Sequence, residues 1–137
     1  MIAKDIMSEN PKTVSEDTPI AAVAELLQDN DIRHVPVVRD GELIGILSDR
    51  DLRSLMIPRL VDEKALSEIR AQYHAPVSSL MSPDVISVNP ETELREIVEL
   101  MLEYKVGAVP VVDPSSGDLV GIVSYVDVLR GTLGELG

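Results

Sequence analysis

Two Ser-x-x-Asp segments are the parts of this chain best suited to chemistry: Ser48-Asp49-Arg50-Asp51 and Ser124-Tyr125-Val126-Asp127. Each follows a glycine and an aliphatic pair, Gly45-Ile46-Leu47 and Gly121-Ile122-Val123. A serine at a strand end offers a hydroxyl and exposes free helix-start amides, which favour anions. An aspartate one turn further on can accept two hydrogen bonds from vicinal hydroxyls, as on a ribose. The same spacing is also an ordinary helix cap. The sequence alone leaves both uses open.

Pro36 and Pro110 interrupt strands that otherwise read as buried, Val35-Pro36-Val37-Val38 and Val109-Pro110-Val111-Val112. A proline donates nothing to a ladder, so it marks a sheet edge or a bulge. The expectation is that backbone groups at Arg33–Val35 and Gly107–Val109 stay unpaired. Such an edge can hydrogen-bond a flat heterocycle such as adenine. A simple edge-strand device remains the alternative.

Arg33, His34 and Arg50 form the clearest asymmetry, because the matching positions hold Gly107, Ala108 and Val126. Arginine suits bidentate phosphate contacts, and a histidine can add charge near neutral pH. Three such groups in one repeat stand out on a chain of formal net charge −12. That acidity also argues against nucleic acid or an anionic membrane as partner.

Catalysis finds little support. With no cysteine in the chain, thiol chemistry, disulfides and cysteine-based zinc sites are excluded. His34 and His74 are the only histidines and have no metal-ligand spacing. Neither a P-loop nor a Gly-x-Gly-x-x-Gly segment occurs, and nothing singles out an acid/base pair. No enzymatic activity, metal or required cofactor is expected. Met1–Asn10 lacks a signal-peptide pattern, and no apolar run reaches the roughly 18 residues of a membrane span. A cytoplasmic protein is expected.

These residues must be held by an internal repeat. Ile32-Arg33-His34-Val35-Pro36-Val37-Val38 returns as Val106-Gly107-Ala108-Val109-Pro110-Val111-Val112, and Asp5-Ile6-Met7-Ser8 as Ser79-Leu80-Met81-Ser82. Repeat one spans 1–57, a helical linker 58–75, and repeat two 76–137. In each repeat the opening segment is a short amphipathic turn. Lys12–Ser15 and Val85–Val88 read as strands. Helices follow, with Thr18 or Asp17 as cap and Pro19 in the first turn. Their apolar periodicity is Ile20, Val23, Ala24, Leu27 in one and Leu94, Ile97, Val98, Met101, Leu102 in the other. A β-hairpin comes next, turning at Arg39–Glu42 or at the longer loop Asp113–Asp118. Closing helices are expected over Asp49–Met56 and Tyr125–Leu133. The linker predicts a helix over Asp62–Tyr73, capped by Asp62, with a Leu66, Ile69, Tyr73 stripe. It either packs on the module or serves as a lid or partner contact. The fold class is α+β: two pseudo-twofold-related β-α-β-β-α repeats packed through their sheets. Phe and Trp are absent, so the core is aliphatic.

The combination Asp-Ile-Met-Ser, Ile-Arg-His-Val-Pro-Val-Val and Gly-Ile-Leu-Ser-Asp-Arg-Asp, followed by a second cycle, resembles a tandem cystathionine-β-synthase (CBS) domain pair, the Bateman module, of the small stand-alone bacterial kind. The resemblance covers nearly everything except Pro58–Ala75. It implies a regulatory protein that binds AMP, ADP, ATP or S-adenosylmethionine in two clefts between the repeats and acts on a separate effector. It also implies a homodimer, shaped as a disc of two modules. Carried over, the main cleft would comprise Val106, Gly107, Ala108, Val109, Pro110, Met81, Ile86 and Ser87 with Ile46, Ser48, Arg50 and Asp51. Phosphate contacts would come from Arg33 and His34. The second would comprise Met7, Lys12, Thr13, Ile32, Val35 and Pro36 with Ile122, Ser124, Tyr125 and Asp127. The missing charge at Gly107 and Ala108 implies unequal occupancy, with the Asp51 cleft taking a phosphorylated ligand first. A ligand-free dimerisation module is the alternative.

Overall fold

The structure, a computed structural model, describes residues 1–55 and 63–136. Met56, Pro58 and Asp62, which bear on the expected helix end, linker start and helix cap, lie outside the described residues. The chain forms two compact units. The first comprises Lys12–Arg39 and Ile44–Pro83, and the second Met1–Pro11, Asp40–Leu43 and Asp84–Gly137. The opening segment of the chain thus belongs with the later repeat. The segment before Pro83 belongs with the earlier one.

The sheet of the first unit runs β2 (Val14–Ser15), β3 (His34–Arg39) and β4 (Glu42–Ser48) in that order, with Ile44–Ser48 of β4 counted in this unit and its first two residues in the other. Helices α2 (Ile20–Asp29), α3 (Asp49–Arg53) and α4 (Glu63–His74) accompany it, with a 3-10 turn at Val77–Ser79. The hairpin between β3 and β4 turns at Asp40 and Gly41, both at positive φ (53° and 83°). This Asp-Gly pair suits a two-residue turn matching the strands' twist. Ile20, Val23, Leu27, Val35, Val37 and Leu47 are the centre of its aliphatic core.

The second unit repeats the plan with β1 (Ser8–Glu9), β6 (Leu119–Ser124) and β5 (Ala108–Val112), in that order. Its helices are α1 (Ala3–Ile6), α5 (Leu94–Tyr104) and α6 (Tyr125–Glu135). Ala3, Ile97, Val109, Val111 and Val123 are fully or almost fully buried at its core. The mixed α/β architecture agrees with the expected fold class.

Several local expectations are corrected. The early segments are shorter strands than their β-branched residues suggest. β2 keeps only Val14–Ser15, paired in parallel with Val37 and Val38. In the second unit Val88 alone bridges to Val111, its amide donating to the Pro110 carbonyl (3.0 Å) and its carbonyl accepting from the Val112 amide (2.8 Å). The next rung back would need an N–H from Pro110, which has none. The prolines therefore end the parallel ladders. Pro36 sits on the central strand of its sheet, not on an edge, whereas Pro110 lies on β5 at the end of the three-stranded order.

The helix starts also differ from expectation. α2 begins after Pro19, which occupies the N-cap position without a side-chain cap. Thr18 Oγ1 instead accepts from the Ser15 amide (3.2 Å). The Ile20 amide is satisfied by the Ala75 carbonyl (3.0 Å), and the equivalent Leu94 amide by the Met1 carbonyl (2.9 Å). α3 ends at Arg53 with Ser54 as C-cap, short of the expected Met56. α6 continues past Leu133 to Glu135. The opening turns come two residues early, at Ala3–Ile6 and Val77–Ser79. On α4, Tyr73 packs against the first unit's core, while Leu66 is 39% exposed.

Candidate functional site

Both Ser-x-x-Asp segments close a reciprocal capping box. Ser48 ends β4 with extended backbone and caps α3. Its Oγ accepts from the Asp51 amide (3.1 Å), and its own amide and hydroxyl both donate to Asp51 Oδ2 (2.8 and 3.0 Å). The second unit repeats this at Ser124 and Asp127, with distances of 2.8, 3.0 and 3.3 Å. The capping use left open by the sequence is therefore real. It occupies one carboxylate oxygen only. Among the described residues, no protein group bonds Oδ1 of Asp51 or of Asp127, and both side chains are half-buried.

The backbone before each proline is only partly free, which corrects the expectation of a fully open edge. The Arg33 carbonyl accepts from the Asp49 amide (2.8 Å) and the Gly107 carbonyl from the Tyr125 amide (2.9 Å). These bonds tie the entry of each proline strand to the start of the following helix. By strand alternation, the backbone of His34 and of Ala108 faces the other way, toward the side where the parallel neighbour has stopped. Those two residues retain the donor-and-acceptor edge that a flat heterocycle can use.

Of the residues expected in the main cleft, Arg33, His34, Ile46, Ser48, Arg50, Asp51 and Met81 belong to the first unit. Ile86, Ser87, Val106, Gly107, Ala108, Val109 and Pro110 belong to the second. Of the second set, Lys12, Thr13, Ile32, Val35 and Pro36 belong to the first unit. Met7, Ile122, Ser124, Tyr125 and Asp127 belong to the second. Val35, Pro36, Ala108, Val109 and Pro110 are buried and serve the sheets through their side chains, leaving only backbone for a ligand.

Within the first unit the charges lie close together. Arg33 and Arg50 are exposed, and His34 is half-buried. Burial pushes the His34 imidazole below its ordinary value, the Asp51 carboxylate counters this, Arg33 lowers it further, and Asp49 raises it. His34 therefore senses both Asp51 and Arg33. Arg33 also lines a groove of about 490 Å³ with Asp49, Arg53 and Tyr73. Sequence reasoning missed these last three. Arg53 and Asp49 were legible as an i,i+4 pair, now seen at 3.6 Å. Among the described residues, no cluster of side chains is arranged to hold a metal ion, and no helix is long and apolar enough to cross a membrane.

A glycine precedes each box for a steric reason. A Cβ at Gly45 would stand 2.5 Å from Met81 Sδ, and one at Gly121 2.5 Å from Met7 Sδ. The Ser82 and Ser8 carbonyls press in at 3.2 and 3.0 Å. The Ile46 and Ser82 backbones exchange two hydrogen bonds (3.2 and 3.0 Å), while Ser8 pairs with Ile122. Met81 and Met7 thus flank the strands leading to Ser48 and Ser124.

A twice-built unit with a proline strand, a Gly-aliphatic-aliphatic strand and a Ser-x-x-Asp cap defines a tandem module. The CBS domain model matches residues 3–58 and again residues 77–134. The chain belongs to the CBS-domain family and carries the domain as a pair, a Bateman module. It is 32% identical to the CBS domain-containing protein YhcV of Bacillus subtilis, covering 91% of this chain and 81% of that one. CBSX2 of Arabidopsis thaliana in complex with AMP superposes with a TM-score of 0.82 at 31% identity, over 99% and 98% of the two chains. The CBS domain pair of protein MJ0100, in complex with 5′-methylthioadenosine and S-adenosyl-L-methionine, gives 0.79 at 27% identity, over 98% of each chain.

Proposed function

We propose that this chain is a regulatory module that binds an adenosine nucleotide of the AMP, ADP or ATP type and acts on a separate protein. The observation that carries the reading is the half-used carboxylate of Asp51, set in one unit with Arg33, His34 and Arg50. A free carboxylate oxygen suits ribose hydroxyls, and the cations suit phosphate. That CBSX2 binds AMP supports the ligand class. The chain works by binding, without catalysis, metal or required cofactor, and forms a homodimer.

The second unit has the same half-used carboxylate at Asp127, but Gly107, Ala108, Tyr125 and Val126 supply no cation. S-adenosylmethionine is the second reading there, supported by the MJ0100 complex. Titration calorimetry with AMP tests the assignment. Asp51→Ala should weaken AMP at least tenfold, and Asp127→Ala should change it by less than threefold. A larger loss in Asp127→Ala rejects the phosphate assignment. No heat with AMP, ATP or S-adenosylmethionine leaves the ligand-free dimerisation module.

A further inference from the structure

His34 opens β3 with its ring half-buried, and among the described residues no protein group hydrogen-bonds either imidazole nitrogen. Neither nitrogen is sealed from solvent, because among the described residues no buried side-chain nitrogen or oxygen lacks a partner. The ring is therefore free both to receive a proton and to meet a ligand. The equivalent position in the second unit holds Ala108, which does neither.

The charges that act on the ring are Asp51, Arg33 and Asp49, in that order. The elements around β3 also carry Arg50 and Arg53 on α3, Glu25 and Asp29 on α2, and Lys12 just ahead of β2. β4 from Ile44 to Ser48 carries no charge. Both aspartates beside the ring are already engaged. Asp51 Oδ2 accepts from the Ser48 amide and hydroxyl, and Asp49 stands 3.6 Å from the Arg53 guanidinium. Burial, reinforced by Arg33, therefore prevails over them and holds the imidazole in its neutral form near pH 7.

A phosphate at Arg33 changes this balance. It neutralises the guanidinium that opposes protonation and brings negative charge of its own, and an anion close by favours the imidazolium. Building on the nucleotide reading, we infer that His34 is the specificity-determining residue of the first unit: it takes up a proton when phosphate binds, so the preference for AMP over adenosine grows as pH falls. By linkage, the gain is absent well above neutral pH, where the ring is uncharged with and without ligand. It appears as pH falls through the ligand-bound midpoint and is complete below the ligand-free one.

NMR titration of the full chain tests this directly. His34 and His74 are the only histidines, so His74→Gln assigns the two ring signals. Saturating AMP should raise the His34 midpoint by about one pH unit, and adenosine should leave it in place. Calorimetry at pH 8 and 6.5 reads the consequence: AMP should bind about threefold tighter at the lower pH, within the roughly tenfold ceiling of a one-unit shift. His34→Gln should bind AMP with no such gain. AMP that binds without moving the His34 midpoint, or adenosine that moves it as far as AMP does, overturns the inference and leaves the nucleotide reading standing. AMP that gives neither heat nor any change in the NMR spectrum overturns both. The NMR arm keeps His34 in place, so it decides the matter even where His34→Gln fails to fold.

Discussion

Met81 lies so close to Gly45 that the strand has no room for a side chain there, and Met7 stands in the same relation to Gly121. Each contact joins a Gly-aliphatic-aliphatic strand to a segment far away in sequence. Gly45→Ala forces Met81 and the Ser82 carbonyl aside, and overpacking of this kind costs about 1–3 kcal/mol. Urea denaturation should show that loss. Because the clash is chiefly with the Met81 side chain, Met81→Ala should partly relieve it, giving a coupling of about 0.5 kcal/mol or more. Strict additivity of the two changes would show that the contact is not the reason for the glycine.

Ser48 and Ser124 each hold a helix start through three hydrogen bonds shared with an aspartate. Ser48→Ala and Ser124→Ala should each cost about 1 kcal/mol by the usual worth of an N-cap, read from denaturant midpoints. The ligand reading adds an asymmetry that capping alone does not. Ser48→Ala should also weaken AMP, because it frees Asp51 from its orientation. Ser124→Ala should leave AMP binding nearly unchanged.

Burial lowers the His34 pKa below 6.5, with Asp51 opposing and Arg33 reinforcing the shift. The folded chain therefore resists protonation that the unfolded chain accepts. Below pH 6.5 the unfolded state binds more protons, so stability falls as pH drops toward the depressed folded value and is fully present above 6.5. His34→Gln should flatten this slope between pH 7.5 and 5. Asp51→Asn removes the carboxylate that props the value up, so NMR titration should place His34 lower still in that variant. An upward movement would contradict the proximity of the two groups.

The composition of the units leads to a fragment experiment. Met1–Pro11 belongs with Asp84–Gly137, and the stretch up to Pro83 belongs with Lys12–Arg39. Fragments 1–58 and 59–137 should each be unfolded alone, because each lacks the segment that completes its sheet and its helix start. Mixed in equal amounts, they should regain the circular-dichroism spectrum and cooperative melting of the intact chain. Independent folding of either fragment would refute this interdependence.

Most of the architecture was legible because it is written in local pattern. The Val-Pro-Val-Val and Gly-aliphatic-aliphatic segments alternate as strands should, and Leu94 to Leu102 keep helical spacing. What escaped notice depends on distant partners. β1 is two residues long and has no alternation of its own; it exists because β6 accepts it. Lys12–Ser15 and Val85–Val88 look like full strands until Pro36 and Pro110, which cannot donate, are placed beside them. Thr18 looks like a cap, but the carbonyl of Ala75 satisfies the helix start instead. At the site, spacing revealed Ser48 and Asp51 but not how one carboxylate divides its oxygens. That division depends on the backbone conformation of Ser48.

The exchange of opening segments bears on how such a chain can change over time. A lone repeat would expose the Gly45 strand or the Gly121 strand with no methionine to close it. It would have to borrow that piece from a sister molecule. Loss of either half therefore carries a cost in stability that duplication of the whole pair does not. Lineages that build on this design should gain or lose it two repeats at a time.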